Sequence, residues 1–379
     1  MDVHFNSYKV RYELLDHLLN PIVRSRPIRN VTIYINLDDV FHNLHRPLTN
    51  NEFQVAGVNA SKQVMSNVLN LIGHYRQWAT RRYMNVTMVG VCTSARKYFK
   101  NSLYVPNYRK KYMNICDRQN TQYFFINEGI FPAIPLLTTV SHYLDKVYII
   151  DSKYLEPSMI PFYLSQNKFT DSDWNILISR DTYDVQYAYR DKWTLIYPKG
   201  DMSNIVNREN LWDHINVKEK VYKDGRVVDL KYGQDLFLVC KAIVGDVYRS
   251  IPRLGRIGWI TIFKYLDQLS RDDISGPLEI QLQLQELLRD KKHVTISEFN
   301  MNKMAVDVEM QCSVMNDIEK GMIETDIIDI ADYKSLQELN SRYFKDYPIN
   351  LIFLTQVLKT PPQYNGYYDP TKRVGYVQY

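Results

Sequence analysis

Short apolar runs alternate with longer amphipathic stretches through the first half of the chain. Four runs have the length and β-branched content of buried strands, namely VTIYINL at 31–37, VTMVGVC at 86–92, KVYIID at 146–151 and NILIS at 175–179. Between the first two runs, residues 60–83 carry apolar side chains near helical spacing (Val64, Val68, Leu71, Ile72, Tyr75). This alternation predicts an α/β fold with a doubly wound, mainly parallel sheet flanked by helices.

The carboxyl ends of the strands are where such a sheet forms its functional crevice. The residues that end or follow the four runs include Asn36, Thr93, Asp151 and Asp181. We therefore expect these four positions to lie near each other, and any chemistry to be found among them.

The pattern changes to helical spacing from about residue 230, with amphipathic segments at 235–248, 260–270 and 280–290. Residues 1–28 also predict a short amphipathic helix. The tail at 359–379 has Pro, Gly and Asn but almost no aliphatic residues, so we expect it to be either disordered or an arm that lies on a partner.

The bulk composition is that of a soluble globular protein, with 45% hydrophobic and 23% charged residues. No run approaches the roughly 18 apolar residues that span a bilayer, and the N-terminus lacks the apolar core of a signal peptide. We expect a cytoplasmic, non-secreted protein that makes no membrane contact. Its four cysteines are far apart in sequence, which favours reduced thiols over a disulfide (Cys92, Cys116, Cys240, Cys312).

The net charge of +5 permits binding to nucleic acid without requiring it. The chain has 30 tyrosines against 14 phenylalanines, and tyrosine combines a stacking face with a polar tip.

The segment IPRLGRIGWITIFKYL at 251–266 places Gly255 and Gly258 in a turn between two helical stretches, with Thr261 expected to open the second helix. Glycines allow close approach of a phosphate, and helix N-termini supply N–H donors to it. The segment is similar to the helix-hairpin-helix element of phage-type 5′-nucleases (flap endonucleases), although a plain turn is the alternative.

Further segments resemble motifs of that family in the family's order. GDVYRSIP at 245–252 resembles the family pattern GDxSDNIP. Similar likenesses occur at 33–47, 89–112, 155–166 and 175–198, and a less specific one at 332–354. The resemblance implies a PIN-like 5′-nuclease domain at 29–228 with a basic arch at about 94–118. It also implies a helical helix-hairpin-helix region at 229–358, between the N-terminal extension at 1–28 and the tail at 359–379.

Nucleases of this family hold two divalent ions in a ring of carboxylates, and here the ring is incomplete. The resemblance matches three family acids to Glu156, Asp181 and Asp246. The remaining acidic positions are matched by residues that carry no negative charge (Asn36, Thr93, Ser158, Met159, Tyr183, Arg249). Because a hard divalent ion needs several anionic oxygen ligands, these replacements imply that nuclease activity has been lost.

Three alternatives follow for the acids that are kept. Neighbouring acids could rebuild the ring (Asp38, Asp39, Asp151, Asp184), and Asp184 is the best placed of these. The three kept acids could hold at most one weakly bound Mg²⁺. Otherwise they pair with basic neighbours such as Arg249 or Arg180, and no cofactor is required.

The resemblance also implies two DNA-binding surfaces. The arch region keeps a set of basic residues (Arg96, Lys97, Lys100, Arg109, Lys110, Lys111), interleaved with tyrosines (Tyr98, Tyr104, Tyr108, Tyr112). The hairpin adds Arg253, Arg256 and Lys264 to Gly255, Gly258 and Thr261. Basic and aromatic residues together suit branched or single-stranded DNA, whereas a solvated basic helix is the alternative for the arch.

The sequence thus predicts a catalytically degenerate, 5′-nuclease-like protein of phage origin that binds branched or junction DNA. A structural or adaptor subunit of a larger viral assembly, with a protein partner bound through 359–379, is the first alternative. An active metal-dependent flap endonuclease or 5′–3′ exonuclease with rearranged ligands is the second.

Overall fold

A computed structural model describes residues 28–44, 60–83, 85–95, 98–110, 129–199, 202–219, 236–271, 276–292 and 294–327, together with residues 338 and 341. The predicted N-terminal helix, the tail at 359–379 and almost all of 332–354 lie outside these residues. So does the stretch around the predicted boundary between 228 and 229. Within the described part of the chain, no helix has the length and apolarity needed to cross a membrane.

Six strands of the described chain form one sheet in the order β3-β2-β1-β4-β5-β6. Their bounds are β1 Asn30–Asn36, β2 Asn85–Cys92, β3 Val147–Asp151, β4 Trp174–Ile178, β5 Trp193–Lys199 and β6 Met202–Val206. The first five are parallel, and β6 pairs with β5 in the antiparallel sense. The predicted doubly wound, mainly parallel sheet is confirmed, and β5 and β6 extend it beyond the four predicted strands.

Helices pack on both faces of this sheet. Their bounds are α1 Leu37–Leu44, α2 Ala60–Thr80, α3 Phe131–Ser141, α4 Ile160–Asn167, α5 Leu211–Glu219, α6 Phe237–Val244, α7 Trp259–Arg271, α8 Pro277–Lys292, α9 Ile296–Val306, α10 Val308–Ser313 and α11 Asp317–Glu324. The helical segments predicted at 60–83, 235–248, 260–270 and 280–290 correspond to α2, α6, α7 and α8.

Alternate residues of β1 enter different cores, because successive side chains of a strand point to opposite faces. Ile33 and Ile35 join the core formed with α2 and α3. Tyr34 joins the second core, which contains residues of the helices after 236, including Phe237 and Trp259. These C-terminal helices are therefore built onto one face of the sheet, and this packing brings the turn between α6 and α7 to the carboxyl ends of the strands.

The turn after α6, residues 245–252, has a tightly constrained backbone. Gly245 has φ +71°, and a Cβ there would lie 2.5 Å from the carbonyl oxygens of Ile251 and Pro252. Asp246 and Ile251 exchange two backbone hydrogen bonds, of 3.0 and 2.9 Å. A short 3₁₀ turn at Leu254–Arg256 follows, with Gly255 at φ 53°. Helix α7 begins at Trp259, two residues before Thr261, so the prediction that Thr261 opens it was wrong by half a turn.

Candidate functional site

The guanidinium group of Arg249 lies among the acids that the sequence predicted to be retained. Its Nη1 donates to Asp181 Oδ1 at 3.0 Å, and its Nη2 donates to Asp181 Oδ2 at 2.7 Å and to Glu156 Oε1 at 2.9 Å. The Arg249 side chain is only 2% exposed, and Glu156 is fully buried. The predicted pairing of the retained acids with Arg249 is therefore present in the structure.

A second arginine, from the arch region, also binds Glu156. Arg109 donates from Nη2 to Glu156 Oε1 at 2.8 Å and from Nε to Oε2 at 3.1 Å. Its Nη1 donates to Asp38 Oδ2 at 2.9 Å, and its guanidinium carbon lies 4.9 Å from the centre of the Phe99 ring. We call this set the arginine network (Arg109, Arg249, Asp38, Glu156 and Asp181).

Asp246 is neutralised by Lys241, a residue that the sequence reasoning missed. Lys241 Nζ lies 3.0 Å from Asp246 Oδ2, and both side chains are buried. The other oxygen of Asp246 accepts the backbone N–H groups of Tyr248 and Arg249, both at 3.0 Å. One signal was available in the sequence, because Lys241 is the only charged residue of the otherwise apolar helix α6.

The residues at the replaced acidic positions support the arginine network. The Tyr183 ring lies under Arg249, with the guanidinium carbon 3.9 Å from its centre. Ser158 accepts a bond of 3.2 Å from Arg249 Nη2. Met159 is buried in the core. A neutral hydroxyl and an aromatic face are suitable neighbours for a guanidinium group. Divalent metal ions would instead need further carboxylates at these positions.

The remaining two replaced positions hold other parts of the crevice together. Asn36 donates from Nδ2 to Asp184 Oδ2 at 2.6 Å. The Thr93 hydroxyl donates to the backbone oxygen of Lys153. The backbone N–H of Thr93 donates to Asp38 Oδ1 at 3.0 Å. The expectation that the strand ends meet in one crevice is confirmed by these contacts.

The four acids considered as replacements for the lost ligands also have partners. Asp38 pairs with Arg109, and Asp39 Oδ2 accepts the backbone N–H of Arg180 at 2.6 Å. Asp151 accepts from Ser94 and lies 3.0 Å from Lys153 Nζ. Asp184 accepts a hydrogen bond from Asn36, so of these four acids only Asp38 belongs to the arginine network.

The pKa values of the two aspartates on either side of Tyr183 diverge. Burial would raise the pKa of Asp181, but the charge and hydrogen bonds of Arg249 hold it well below its usual range. Burial, and after it the negative charge of Asp181, raise the pKa of Asp184 to about 7. Burial also disfavours the ionised form of Glu156, yet Arg109 and Arg249 together lower the pKa of that carboxyl below its ordinary value. The interior therefore holds Glu156 and Asp181 as carboxylates and Asp184 largely as the acid below neutral pH.

Comparison with solved structures assigns this architecture to a known fold. The bacteriophage T5 D15 flap endonuclease, in a pseudo-enzyme–product complex with DNA and metal ions, aligns with a TM-score of 0.52 at 16% identity, over 83% of this chain and 100% of that chain. The chain has the fold of the 5′-nuclease family. The prediction of this fold, made from motifs at the strand ends and at the hairpin, is confirmed.

Two further neighbours align less well than the first. T5 D15 protein co-crystallised with metal ions has a TM-score of 0.49 at 14% identity, over 82% of this chain and 99% of that chain. The Holliday junction-resolving enzyme GEN1, in complex with product DNA and Mg²⁺, has a TM-score of 0.40 at 11% identity, over 93% of this chain and 73% of that chain. The fold assignment rests on the first structure alone. No protein-family model matches the sequence, and no curated protein matches it.

The 5′-nuclease fold implies divalent ions, and the donor set present here does not fit them. Both oxygens of Glu156 and both oxygens of Asp181 accept hydrogen bonds from arginine side chains. Within the described residues, no group of three or more His, Cys, Asp or Glu side chains is arranged to hold a metal ion. A cation placed between these carboxylates would have to displace Arg249, which is tied to the chain and buried.

The basic residues of the hairpin lie on the surface. Arg253, Arg256 and Lys264 are exposed, as is Thr261. Gly258 directly precedes α7, and a Cβ there would meet nothing nearer than Arg253 Nη1 at 3.8 Å. We call Arg253, Arg256, Gly258, Thr261 and Lys264 the hairpin surface. Its DNA contacts remain predictions.

The arch residues depart further from the predicted DNA-binding surface than the hairpin residues do. Lys110 is exposed, but Arg109 is buried in the arginine network and presents no cation at the surface. Lys100 Nζ lies 2.6 Å from Glu319 Oε2 with its side chain 14% exposed. Tyr108 is buried and donates its hydroxyl to Glu156 Oε2 at 2.5 Å, so it supports the interior instead of offering a stacking face. Arg96, Lys97, Lys111 and Tyr112 lie outside the described residues.

Proposed function

We propose that this chain binds branched DNA or single-strand/double-strand junctions without cleaving them, as a catalytically degenerate relative of the 5′-nucleases. The observation that carries the proposal is the position of Arg249 between Glu156 and Asp181. Phage origin belongs to the same proposal, and its support is that the first structural neighbour is a bacteriophage protein.

Loss of cleavage follows from electrostatics. Two-metal phosphodiester hydrolysis requires ions that generate the attacking hydroxide and stabilise charge on the leaving oxygen. Here Arg109, Arg249 and Lys241 supply the positive charge that neutralises the family's acids. A guanidinium group is always protonated and acts only as a hydrogen-bond donor. It therefore cannot replace a metal ion in generating hydroxide from a bound water. The residues therefore keep the crevice folded without supplying a nucleophile.

DNA binding is supported by the hairpin surface. Positive φ at Gly255 and the open space around Gly258 let the backbone before α7 approach a ligand closely, and the exposed arginines beside it suit phosphate oxygens. Contacts of this kind grip the duplex by its backbone and carry no sequence information. The structural neighbour with the same fold was solved in complex with DNA.

The test is a labelled 5′-flap DNA, incubated with the full chain in Mg²⁺ and separately in Mn²⁺, beside binding titrations at two salt concentrations. We expect no cleavage under either metal. We expect binding that weakens as salt rises, because phosphate contacts release counterions. Asp181→Asn is the control for trace nuclease, since any cut made by this chain should be lost in that variant.

Two other outcomes would contradict part of the proposal. A cut that Asp181→Asn abolishes would show that a working metal site exists despite Arg249. Absence of both binding and cleavage would turn the search to protein partners, as expected of a structural or adaptor subunit in a viral assembly.

A further inference from the structure

The 245–252 turn exposes two neighbouring apolar side chains. Val247 is 64% exposed and Tyr248 is 58% exposed. The next residue, Arg249, points inward and is buried in the arginine network. The turn thus directs Arg249 inward, whereas Val247 and the aromatic Tyr248 are exposed.

The turn that carries these side chains is preorganised. The Asp246 carboxylate accepts two backbone N–H groups of the turn, and its other oxygen is held by Lys241. Ser250 adopts φ 58°, which allows the chain to return at Ile251. Because the backbone is fixed before any ligand arrives, a contact made by Tyr248 would lose little conformational entropy.

The charges beside the turn are positive. The backbone N–H of Arg109 donates to the oxygen of Arg249 at 2.9 Å, which brings the end of the described arch segment against the turn. Lys110 is exposed on that side, and Arg253 is exposed just beyond Pro252 on the other. An exposed aromatic ring on a turn flanked by exposed cations suits nucleic acid, because cations bind phosphates and a ring can stack on a base.

We propose that Tyr248, supported by Val247, stacks on an unpaired or terminal base where single-stranded and double-stranded DNA meet. This inference deepens the proposed function and rests on it. The flanking cations favour DNA over an apolar protein partner. The family pattern GDxSDNIP has serine where this chain has Tyr248, so the stacking contact would be a feature of this chain.

The experiment measures binding of junction DNA and of blunt duplex by the wild-type chain, Tyr248→Ala and Tyr248→Phe, with Ile318→Ala as the control. Ile318 is also exposed, at 75%, but lies on α11. We expect Tyr248→Ala to weaken junction binding by about 5- to 150-fold, the range for loss of one stacked base. Tyr248→Phe keeps the ring and should bind as the wild type does, and duplex binding should change little in any variant.

Abasic substitutions scanned across the junction give a second readout. At one position of the junction, removal of the base should weaken DNA binding by the wild type by the same factor as Tyr248→Ala does. The same removal should leave DNA binding by Tyr248→Ala unchanged, because that variant has no ring on which the base can stack. If the wild type binds DNA in a salt-dependent way but Tyr248→Ala is equal to it, or shows no coupled position, the stacking inference fails and the proposed function stands. If the wild type binds no DNA, both are overturned.

Discussion

The arginine network and the hairpin surface both use arginines, but in opposite environments. In the network, Arg249 is 2% exposed and contacts fully buried Glu156. On the hairpin surface, Arg253 and Arg256 are exposed to solvent. A buried ion pair is strongly coupled to folding, because removing one partner leaves an uncompensated charge, whereas an exposed arginine contributes little to stability. We therefore expect substitutions in the first region to change stability, and substitutions in the second to change DNA binding.

The largest expected effect is that of Arg249→Leu. Loss of the guanidinium leaves Asp181 without its main partner and Glu156 with only one arginine, so the free energy of unfolding should fall by about 3–5 kcal/mol. Urea unfolding measures this. Arg253→Leu, at an exposed residue just beyond the same turn, is the control and should stay within about 0.5 kcal/mol of wild type.

The same variant sharpens the comparison through metal binding. With Arg249 removed, millimolar Mg²⁺ should raise the melting temperature of the variant, because an ion can now neutralise the carboxylates. The wild type should not respond. A small loss of stability in Arg249→Leu, or an equal response of both proteins to Mg²⁺, would contradict our description of the interior.

The second effect is a pH dependence that originates in the same interior. Because the pKa of Asp184 is raised to about 7 in the folded state, its protonated form is favoured by folding. That contribution is fully present below about pH 4 and is lost between about pH 4 and pH 7, on the order of 4 kcal/mol when ionisation is complete. Asp181 has the opposite sign, since its lowered pKa stabilises the fold above about pH 4.

Together these two groups should make stability highest near pH 4 and lower it as pH rises from about 4 to 7. Asp184→Asn keeps an oxygen that can accept from Asn36 and removes the titration, so its unfolding free energy should no longer show the fall that this carboxyl causes between about pH 4 and 7. Chemical denaturation across this pH range is the measurement. An unchanged slope in Asp184→Asn would mean that another group titrates there.

A third pair of variants compares the two glycines on either side of the turn. Gly245→Ala should cost more than about 2 kcal/mol, because φ is positive and the new Cβ would collide with two carbonyl oxygens. Gly258→Ala has space around it and should cost about 0.5 kcal/mol as a poorer helix cap. If the backbone at Gly258 approaches a phosphate, its substitution should nevertheless weaken DNA binding. Equal losses of stability in the two variants would contradict this distinction.

The smallest effect on stability is expected at the hairpin surface itself. The double variant Arg253→Ala and Arg256→Ala should unfold like the wild type, within about 0.5 kcal/mol. The slope of log affinity against log salt should become shallower by about 2, since two phosphate contacts are lost. Lys192→Ala is the matched control. Lys192 is exposed, and because it directly precedes β5 it lies at the amino ends of the parallel strands, away from the crevice at their carboxyl ends. A slope unchanged by the double variant would remove the hairpin from the binding surface.

Local pattern was enough to predict much of the fold. The four predicted strands and the helices at 60–83 and after 230 were found because β-branched runs and helical spacing are properties of neighbouring residues. Strands β5 and β6 were missed as strands, since β5 contains Pro198 and β6 has polar Ser203 and Asn204 in its middle. The predicted crevice at the strand ends follows from parallel topology alone.

The fate of the charged residues required the tertiary structure. Arg249 and Glu156 are 93 residues apart, and Arg249 and Asp181 are 68 apart. They meet only because the C-terminal helices pack on one face of the sheet. Asp184 was the best placed of the neighbouring acids to replace the ligand lost at Tyr183, but it begins a 3₁₀ turn and its carboxylate accepts a hydrogen bond from Asn36.

The sequence by itself determined which acids are missing and that a cation stands where the family pattern has an acid. It could not determine which basic residues turn inward. Arg109 and Lys100 belong to a local pattern typical of a DNA-binding surface, yet buried carboxylates draw both into ion pairs. Secondary structure depends mainly on neighbours in the chain, whereas the environment of a charge depends on every group that packs around it, and only the folded structure brings those groups together.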